Sequence, residues 1–302
     1  MRFTLMLGLG GHEDYHDVAR TAEETGWTAV SLPDSIFFPK KTTSEYPYAD
    51  TAAVRGALSV APVIEPFVAL AGIAAVTRRL RFYPGVLKVP VRQPLLLAKS
   101  VASLAVMSGN RFSLGAGISP WEEDFTYNGV RYEGRGALMD ECIAIIRGVM
   151  TGEYFEYHSE NFDFGPLKMN PVPDKPVPIL IGGHAVPALK RAARLGDGWI
   201  SANSDYESLA KMIAQLDGVP PLPGESGGVY CRDARDCWQV ADLIDRAQGL
   251  PAGSFEVAIL GMQAHFTLAE AGGDPVAGCV LVEGDGDAHI GLVAAPRGPQ
   301  GH

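Results

Sequence analysis

The sequence predicts an α/β fold, and within that class a (β/α)₈ TIM barrel with insertions in its loops. Short, mostly apolar β-rich segments recur along the 302 residues, and helical patterns lie between them. These segments are mostly apolar, as expected of parallel strands that are covered on both faces. Eight strand–helix repeats over roughly 250 core residues are typical of a closed barrel.

Eight segments have the length and composition of buried strands. In chain order they are residues 3–8, 28–32, 80–87, 112–118, 177–182, 198–201, 255–260 and 278–282. Each is short and mostly apolar, which is the pattern of a strand in a parallel sheet. We therefore expect all eight to pair in parallel around the barrel.

Helical patterns separate the predicted strands. Segment 94–107 has a proline at its first turn, and Gly109 follows its end, which is the usual asymmetry of helix termini. In segment 137–150 the apolar side chains recur on one face, and Gly152 ends the pattern. The predicted helices are 14–25, 67–76, 94–107, 137–150, 187–195, 206–216 and 238–247.

The remaining length lies in long loops at residues 37–66, 119–134, 153–176 and 218–235. The first two follow strands, so we expect them at the carboxyl end of the barrel, where barrels carry their active sites. Residues 1–302 are predicted to form a single domain, because no linker or second core is visible. Its poorly patterned tail, from about residue 284, is expected to be frayed, altered in reading frame or ordered by a partner subunit. A doubly wound sheet is the alternative fold, but residues 8–11 lack the third glycine of a dinucleotide fingerprint.

Composition limits the possible functions. The 25 Lys and Arg against 35 Asp and Glu give a net charge of -10, so no basic face for nucleic acid is visible. No apolar run approaches the roughly 20 residues that cross a membrane, and residues 1–7 lack a signal-peptide cleavage site. The histidines and cysteines show no metal-ligand spacing, and only Cys231 and Cys237 raise the question of a disulfide. We predict a cytoplasmic protein without a metal that binds neither nucleic acid nor membranes.

A strand that runs through two glycines into a helix gives the strongest local signal. Glycines let a backbone approach a ligand, and the N–H groups of a first helical turn attract anions. Two interpretations stay open, a phosphate seat or an ordinary tight turn. The residues concerned are Gly182, Gly183, His184 and Ala185.

Three other predicted strand ends carry candidate site residues. Asp34, followed by Ser35, could act as a general acid or base or hold a polar substrate group, or it could cap a turn. Pro84-Gly85-Val86 predicts a kink inside a strand, and such kinks can lie against ligands. The small residues that end in Gly117, before Ser119, either leave space for a flat ligand or pack closely at the rim.

Several segments share a further pattern. They are Arg78-Arg79-Leu80-Arg81-Phe82 and residues 85–87, 94–99, 108–117, 133–136, 138–141, 178–183 and 196–199. In combination these segments resemble the bacterial-luciferase-like family of flavin- and deazaflavin-dependent oxidoreductases, over about residues 1–217. Within that family the chain is most similar to actinobacterial enzymes that use coenzyme F420, a hydride carrier.

The resemblance implies where a cofactor and substrate would bind. The ring would lie in the barrel mouth, backed by a non-proline cis peptide at Gly85–Val86, and the phosphate would lie near the Gly182–Gly183 turn. Homodimers are common in the family, so we expect a homodimer that acts on a small-molecule substrate. The predicted cofactor-binding residues are Pro84, Gly85, Val86, Gly117, Ser119, Gly182, Gly183, His184 and Ala185. The predicted catalytic residues are Asp34 and Ser35.

One departure from the family keeps three functions open. Many deazaflavin dehydrogenases have a histidine beside the acid, whereas this chain has Ser35. The first hypothesis is an F420-dependent oxidoreductase that transfers a hydride to or from a small organic substrate. The alternatives are an FMN-dependent monooxygenase using reduced flavin and O₂, and a barrel that has lost its cofactor. A basic patch is expected to receive an acidic coenzyme tail, formed by Lys40, Lys41, Lys88 and Arg92.

Overall fold

Strands and helices alternate along most of the chain. The computed structural model describes residues 4–7, 11–202 and 206–217, and the backbone of four strands between residues 254 and 292. The strands are β1 (Thr4–Met6), β2 (Ala29–Leu32), β3 (Arg81–Pro84), β4 (Leu87–Lys88), β5 (Leu114–Gly117), β6 (Phe155–His158), β7 (Asp163–Leu167), β8 (Ile179–Gly182), β9 (Gly198–Ile200), β10 (Ser254–Ile259), β11 (Met262–Thr267), β12 (Val280–Val282) and β13 (Ile290–Leu292). The helices are α1 (Tyr15–Glu24), α2 (Thr51–Leu58), α3 (Pro66–Val76), α4 (Pro94–Met107), α5 (Glu122–Thr126), α6 (Arg135–Val149), α7 (Val186–Leu195) and α8 (Tyr206–Asp217).

Two parallel sheets form one continuous arc. The first has the order β1-β2-β3 and the second the order β4-β5-β8-β9. A parallel bridge between Phe82 and Phe112 joins the two sheets. β3 and β4 are the two halves of the predicted strand 80–87, which is interrupted at Gly85–Val86. The first six predicted strands are therefore confirmed, and their parallel pairing with them.

The predicted pairing of the last two strands is wrong. Strands form at 254–259 and 280–282, but β10 pairs antiparallel with β11 and β12 pairs antiparallel with β13. Two residues separate β10 from β11 and seven separate β12 from β13. A parallel crossover needs about a dozen residues or more, whereas a hairpin needs only two. Within the described residues the parallel strands thus form an open arc of six positions and not a closed barrel of eight.

The helices follow the prediction closely, except inside the long loops. Helix α4 has the predicted bounds, because Gln93 caps it by accepting the N–H of Leu96 at 2.9 Å and Pro94 begins it. Loop 37–66 contains the unpredicted α2, whose cap is Asp50, and loop 119–134 contains α5. Loop 153–176 forms the antiparallel hairpin β6–β7. The predicted helix 238–247, Cys231 and Cys237 lie outside the described residues.

Side chains of the parallel strands alternate between two packing layers. One set packs beneath the helices, as Val30, Phe82 and Ile181 do in the main core. The other set faces the inside of the arc, where Ala29, Tyr83 and Leu180 are buried with Ile200 against them. No helix in the part of the chain that the structure describes is both long and apolar enough to cross a membrane. The arc therefore has an apolar interior beneath the carboxyl ends of its strands.

One carboxylate binds the backbone of the segment that leads into β3. Glu23, near the end of α1, accepts the backbone N–H groups of Arg78, Arg79 and Leu80. Partial burial alone would raise the pKa of Glu23, but the three N–H donors outweigh it and hold that pKa below its ordinary value. A group whose folded-state pKa is depressed stabilises the fold above its unfolded pKa, and loses that effect as pH falls.

We predict that Glu23→Gln lowers the free energy of unfolding at neutral pH by about 1–3 kcal/mol, because charged acceptors form the stronger hydrogen bonds. The deficit should shrink as pH falls below the ordinary Glu pKa of 4.5 and through the lower folded value. Urea unfolding at several pH values measures it, with the exposed Glu24→Gln as the control. An equal deficit at every pH would contradict the proposed charge effect.

Candidate active site

The predicted site residues lie at one edge of the arc. Because neighbouring strands are parallel, the carboxyl ends of β2, β3, β5 and β8 meet at the same side. Asp34 and Ser35 follow β2, the Gly85–Val86 link follows β3, Ser119 follows β5, and His184 follows β8. The structure thus places the sequence-predicted residues at one end of the arc, which we call the mouth.

The Gly85–Val86 peptide bond is cis, as the resemblance implied. The Val86 side chain fills the inner layer of the mouth against two glycines. A Cβ added to Gly117 would lie 2.3 Å from Val86 Cγ2, and one added to Gly182 would lie 2.8 Å from Val86 Cγ1. The glycines of β5 and β8 therefore make room for Val86. Val86 thus occupies the space over Gly117 that was expected for a flat ligand, and a ring bound above Val86 stays a prediction.

Beneath Val86 the interior is closed by larger side chains. Tyr83, Leu180 and Ile200 pack together there, around Ala29. Burial raises the pKa of Tyr83, so its phenol remains protonated in the neutral pH range. The mouth consequently has an apolar, uncharged floor.

Asp34 is engaged with a cation beside the floor. Its side chain is 1% exposed and pairs with Arg92, whose Nη1 and Nη2 lie 2.8 and 2.9 Å from the two carboxylate oxygens. The backbone N–H of Lys88 donates to the same carboxylate at 2.8 Å. Three donors thus converge on Asp34, which is the geometry of an anchor. Its catalytic role, like that of Ser35, stays a prediction.

A second buried ion pair lies next to the first. Lys88 Nζ is 2.6 Å from Asp124 Oδ2, and these side chains are 10% and 2% exposed. Ser119 Oγ donates to the same oxygen and accepts the N–H of Trp121 at 3.1 Å. Ser119 is therefore held inside this network, and a contact between Ser119 and a cofactor stays a prediction.

The expected basic patch is wrong in part. Lys88 is buried and Arg92 half-buried, and both are paired with acids, so their charges are already engaged and not free for an acidic coenzyme tail. Lys40 and Lys41 are exposed, as expected of a solvated pair. The four cations were expected to form one patch. The sequence gave no sign that Lys88 and Arg92 have acidic partners, because those partners lie far from them along the chain.

Aromatic side chains that the sequence analysis missed form one wall of the mouth. Tyr46 stacks on Trp121 with ring centroids 5.9 Å apart, and Tyr48 lies edge-on to His184 at 4.6 Å. Trp199 Nε1 donates to the Gly183 carbonyl at 2.8 Å. The wall joins the loop after β2 to the turn after β8. The Tyr46-Pro47-Tyr48 motif in that loop was the available sequence signal.

His184 is neutral in this arrangement. Its Nε2 accepts the backbone N–H of Ala202 at 2.8 Å and lies 3.2 Å from Ser201 Oγ. Since a backbone N–H can only donate, Nε2 is the acceptor and the ring proton is on Nδ1. Burial lowers the pKa of His184, which favours the same uncharged state. An anion at this turn would therefore meet backbone N–H groups and not a charged imidazole.

The turn after β8 has the form of an anion seat. Gly183 has a φ of +120°, a conformation that favours glycine. Helix α7 begins after Ala185 without a side-chain cap and has Pro187 in its first turn. Val186 is 53% exposed, so the beginning of the helix is open to solvent. This geometry fits a phosphate group, and the binding of one stays a prediction.

We predict that Gly117→Ala lowers the free energy of unfolding by about 1–3 kcal/mol, because the new methyl group would overlap Val86. Val86 cannot simply turn away, since its other methyl group already faces Gly182. The matched control is Gly56→Ala in α2, where no atom lies within 4 Å, and there we expect a gain of about 0.5–1 kcal/mol. Urea unfolding compares them, and equal stability of both variants would refute the packing described here.

The chain is similar in sequence to a family of known proteins. The family model of the luciferase-like monooxygenases matches residues 4–219. An uncharacterised protein of Mycobacterium tuberculosis is 45% identical over 226 residues, which are 75% of this chain and 78% of that protein. The 5,10-methylenetetrahydromethanopterin reductase of Archaeoglobus fulgidus is 32% identical over 62% of this chain and 55% of the reductase. An F420-dependent hydroxymycolic acid dehydrogenase of M. tuberculosis is 30% identical over 49% of this chain and 42% of its own.

Solved structures show the same fold. A monooxygenase from Streptomyces bottropensis superposes with a TM-score of 0.59 at 21% identity, over 72% of this chain. An F420-dependent secondary alcohol dehydrogenase, bound to an F420-acetone adduct, superposes with a TM-score of 0.58 at 16% identity, also over 72% of this chain. The chain spans 64% and 62% of the lengths of these two structures, a little under two thirds. From the family match over residues 4–219 and the shared fold, we conclude that the chain belongs to the luciferase-like monooxygenase family.

Proposed function

We propose that the chain is an F420-dependent oxidoreductase that transfers a hydride between the deazaflavin and a small organic substrate. Members of its family are oxidoreductases or monooxygenases. The choice of F420 is supported by the 30% identity to a dehydrogenase whose name states F420 dependence. The proposal extends to a homodimer without a nucleic-acid or membrane partner.

The floor of the mouth is the observation that carries the proposal. Val86, whose peptide bond to Gly85 is cis, packs against Gly117 and Gly182 and forms an apolar surface at the carboxyl end of the strands. Both neighbouring carboxylates are paired with cations, Asp34 with Arg92 and Asp124 with Lys88. A flat aromatic ring fits against such a surface, because neither carboxylate is left buried without a counter-charge. The deazaflavin, when bound, would donate or accept the hydride.

The other end of the cofactor would lie at the turn after β8. Close packing leaves little room for a side chain at Gly183, since an added Cβ would lie 2.9 Å from the Ala188 Cβ. The turn can therefore bring its backbone close to a ligand. We expect Gly182, Gly183, His184 and Ala185 to hold the phosphate through N–H groups and the α7 dipole.

The protein's part in the reaction is to orient the reactants and to manage a proton. Asp34 would act through Arg92 and Lys88, by fixing the loop that carries Val86, because its carboxylate already binds three donors. Ser35 is the neighbouring hydroxyl that could orient or protonate a substrate. Tyr46 and Tyr48 would restrict the substrate from the aromatic wall.

An FMN-dependent monooxygenase is the second candidate, and the family match itself favours it, since the matching model describes monooxygenases. This enzyme would need a reductase to supply reduced flavin and a mouth that shields an oxygenated intermediate from water. A barrel without a cofactor remains the third possibility. The candidates differ in which ring the mouth binds.

Fluorescence titration of the purified protein with F420 and with FMN tests the proposal. We expect F420 to bind at least tenfold more tightly than FMN, a difference of about 1.4 kcal/mol. Preference for FMN would move the assignment to the monooxygenase. Binding of neither would refute both catalytic assignments and leave the barrel without a cofactor.

We predict different outcomes for the two candidate catalytic residues. Asp34→Asn should destabilise the fold by about 1–3 kcal/mol, because it leaves the half-buried Arg92 cation without its counter-charge. Ser35→Ala should change stability by less than about 0.5 kcal/mol and lower turnover if the hydroxyl contacts substrate. Thermal unfolding and F420-dependent turnover of both variants measure this. Full stability of Asp34→Asn with lost turnover would instead make Asp34 a direct acid or base.

A further inference from the structure

Lys88 is bound at three points in the mouth. Its backbone N–H donates to Asp34 at 2.8 Å, and its carbonyl accepts from Arg92 Nη1 at 3.0 Å. Its ammonium group lies 2.6 Å from Asp124 Oδ2. One residue therefore connects both buried ion pairs, and it connects the loop after β2 with the helix after β5.

The position of Lys88 determines what these contacts hold in place. β4 consists only of Leu87 and Lys88, which pair with Ala116 and Gly117 of β5. Val86 immediately precedes this strand, and its methyl groups lie over Gly117 and Gly182. Two strand residues provide few ladder hydrogen bonds, so β4 alone is a weak support. The contacts of Lys88 supply the remaining restraint on Val86.

Stability alone is a poor explanation for the Lys88–Asp124 pair. Burial removes water from both charges, and replacing such a pair with apolar side chains of similar volume is often neutral or stabilising. Apolar residues at these positions could therefore maintain the packing of the fold. What they could not maintain is a fixed length and direction between β4 and α5, which an ion pair with a shared Ser119 donor provides.

We infer that Lys88 is a positioning residue. It fixes the position of Val86 over Gly117 and Gly182, and it thereby determines the affinity of the mouth for the cofactor ring. The inference rests on the proposed function only in that a flavin or deazaflavin binds above Val86. Lys88 itself touches neither the ring nor the substrate. The ion pair between Lys88 and Asp124 holds the floor of the mouth in place, whereas the fold can form without this pair.

The decisive variant removes both charges together, as Lys88→Met with Asp124→Leu, so that neither is left buried alone. We expect its thermal midpoint to stay close to that of the wild type, because relief of the two buried charges offsets the loss of the acceptor of Ser119 Oγ. Its affinity for the ring should nevertheless fall by about tenfold to a hundredfold, because a displaced Val86 no longer packs closely against the ring. Titration with whichever of F420 and FMN the wild type binds, well below the thermal midpoint, measures this.

A matched ion pair away from the mouth provides the control. Arg191 of α7 binds Asp140 of α6, and its side chain is buried between these helices. Arg191→Met with Asp140→Leu removes this pair, and with it the contact of the half-exposed Arg194 to Asp140. It should leave the affinity for the ring within twofold of the wild type. Equal losses of affinity in the two double variants would show a general loss of rigidity, and would overturn the inference.

Two further results keep the inference separate from the proposed function. Wild-type affinity in the Lys88–Asp124 double variant would overturn the inference and leave the F420 assignment intact. Absence of binding by the wild type to either ring would overturn the proposed function, and the inference with it. If the double variant fails to fold, Lys88→Met alone is tested, and wild-type affinity in that variant would likewise overturn the inference.

Discussion

The candidate site depends on a steric constraint between three strands. Where the third strand position is interrupted at Gly85–Val86, the neighbouring strands must present residues without side chains, because Val86 occupies the space of their Cβ atoms. Gly117 and Gly182 meet this requirement from both sides. The constraint thereby determines the apolar floor at the ends of β5 and β8, which are paired neighbours in the sheet.

The charges at the mouth differ from the net charge of the whole chain. The protein has a net charge of -10, yet its mouth contains one buried and one half-buried cation, Lys88 and Arg92, each opposite one carboxylate. The charges of each pair therefore cancel locally. A neutral His184 at the turn after β8 continues this pattern. Recognition of an anionic group would then depend on backbone N–H groups, whose orientation is fixed by the fold.

Local patterns were sufficient to predict the first six strands and helix α4. They were sufficient because each element has its own apolar period, cap or terminating glycine. The pairing of β10 to β13 could not be derived in this way, since apolar runs do not specify a partner strand. Asp34 and Arg92 are 58 residues apart, so only the folded chain shows that Asp34 is held as an anchor. The same holds for Lys88 and Asp124.

The described residues of the candidate site come from one part of the chain. The described residues that form the mouth, from Asp34 to Ala202, all lie within the segment that matches the family, residues 4–219. The antiparallel pairs β10–β11 and β12–β13 come after it. The floor, the buried ion pairs and the anion seat are therefore built from the first six strand positions and their loops. The cofactor contacts proposed here are all drawn from that segment.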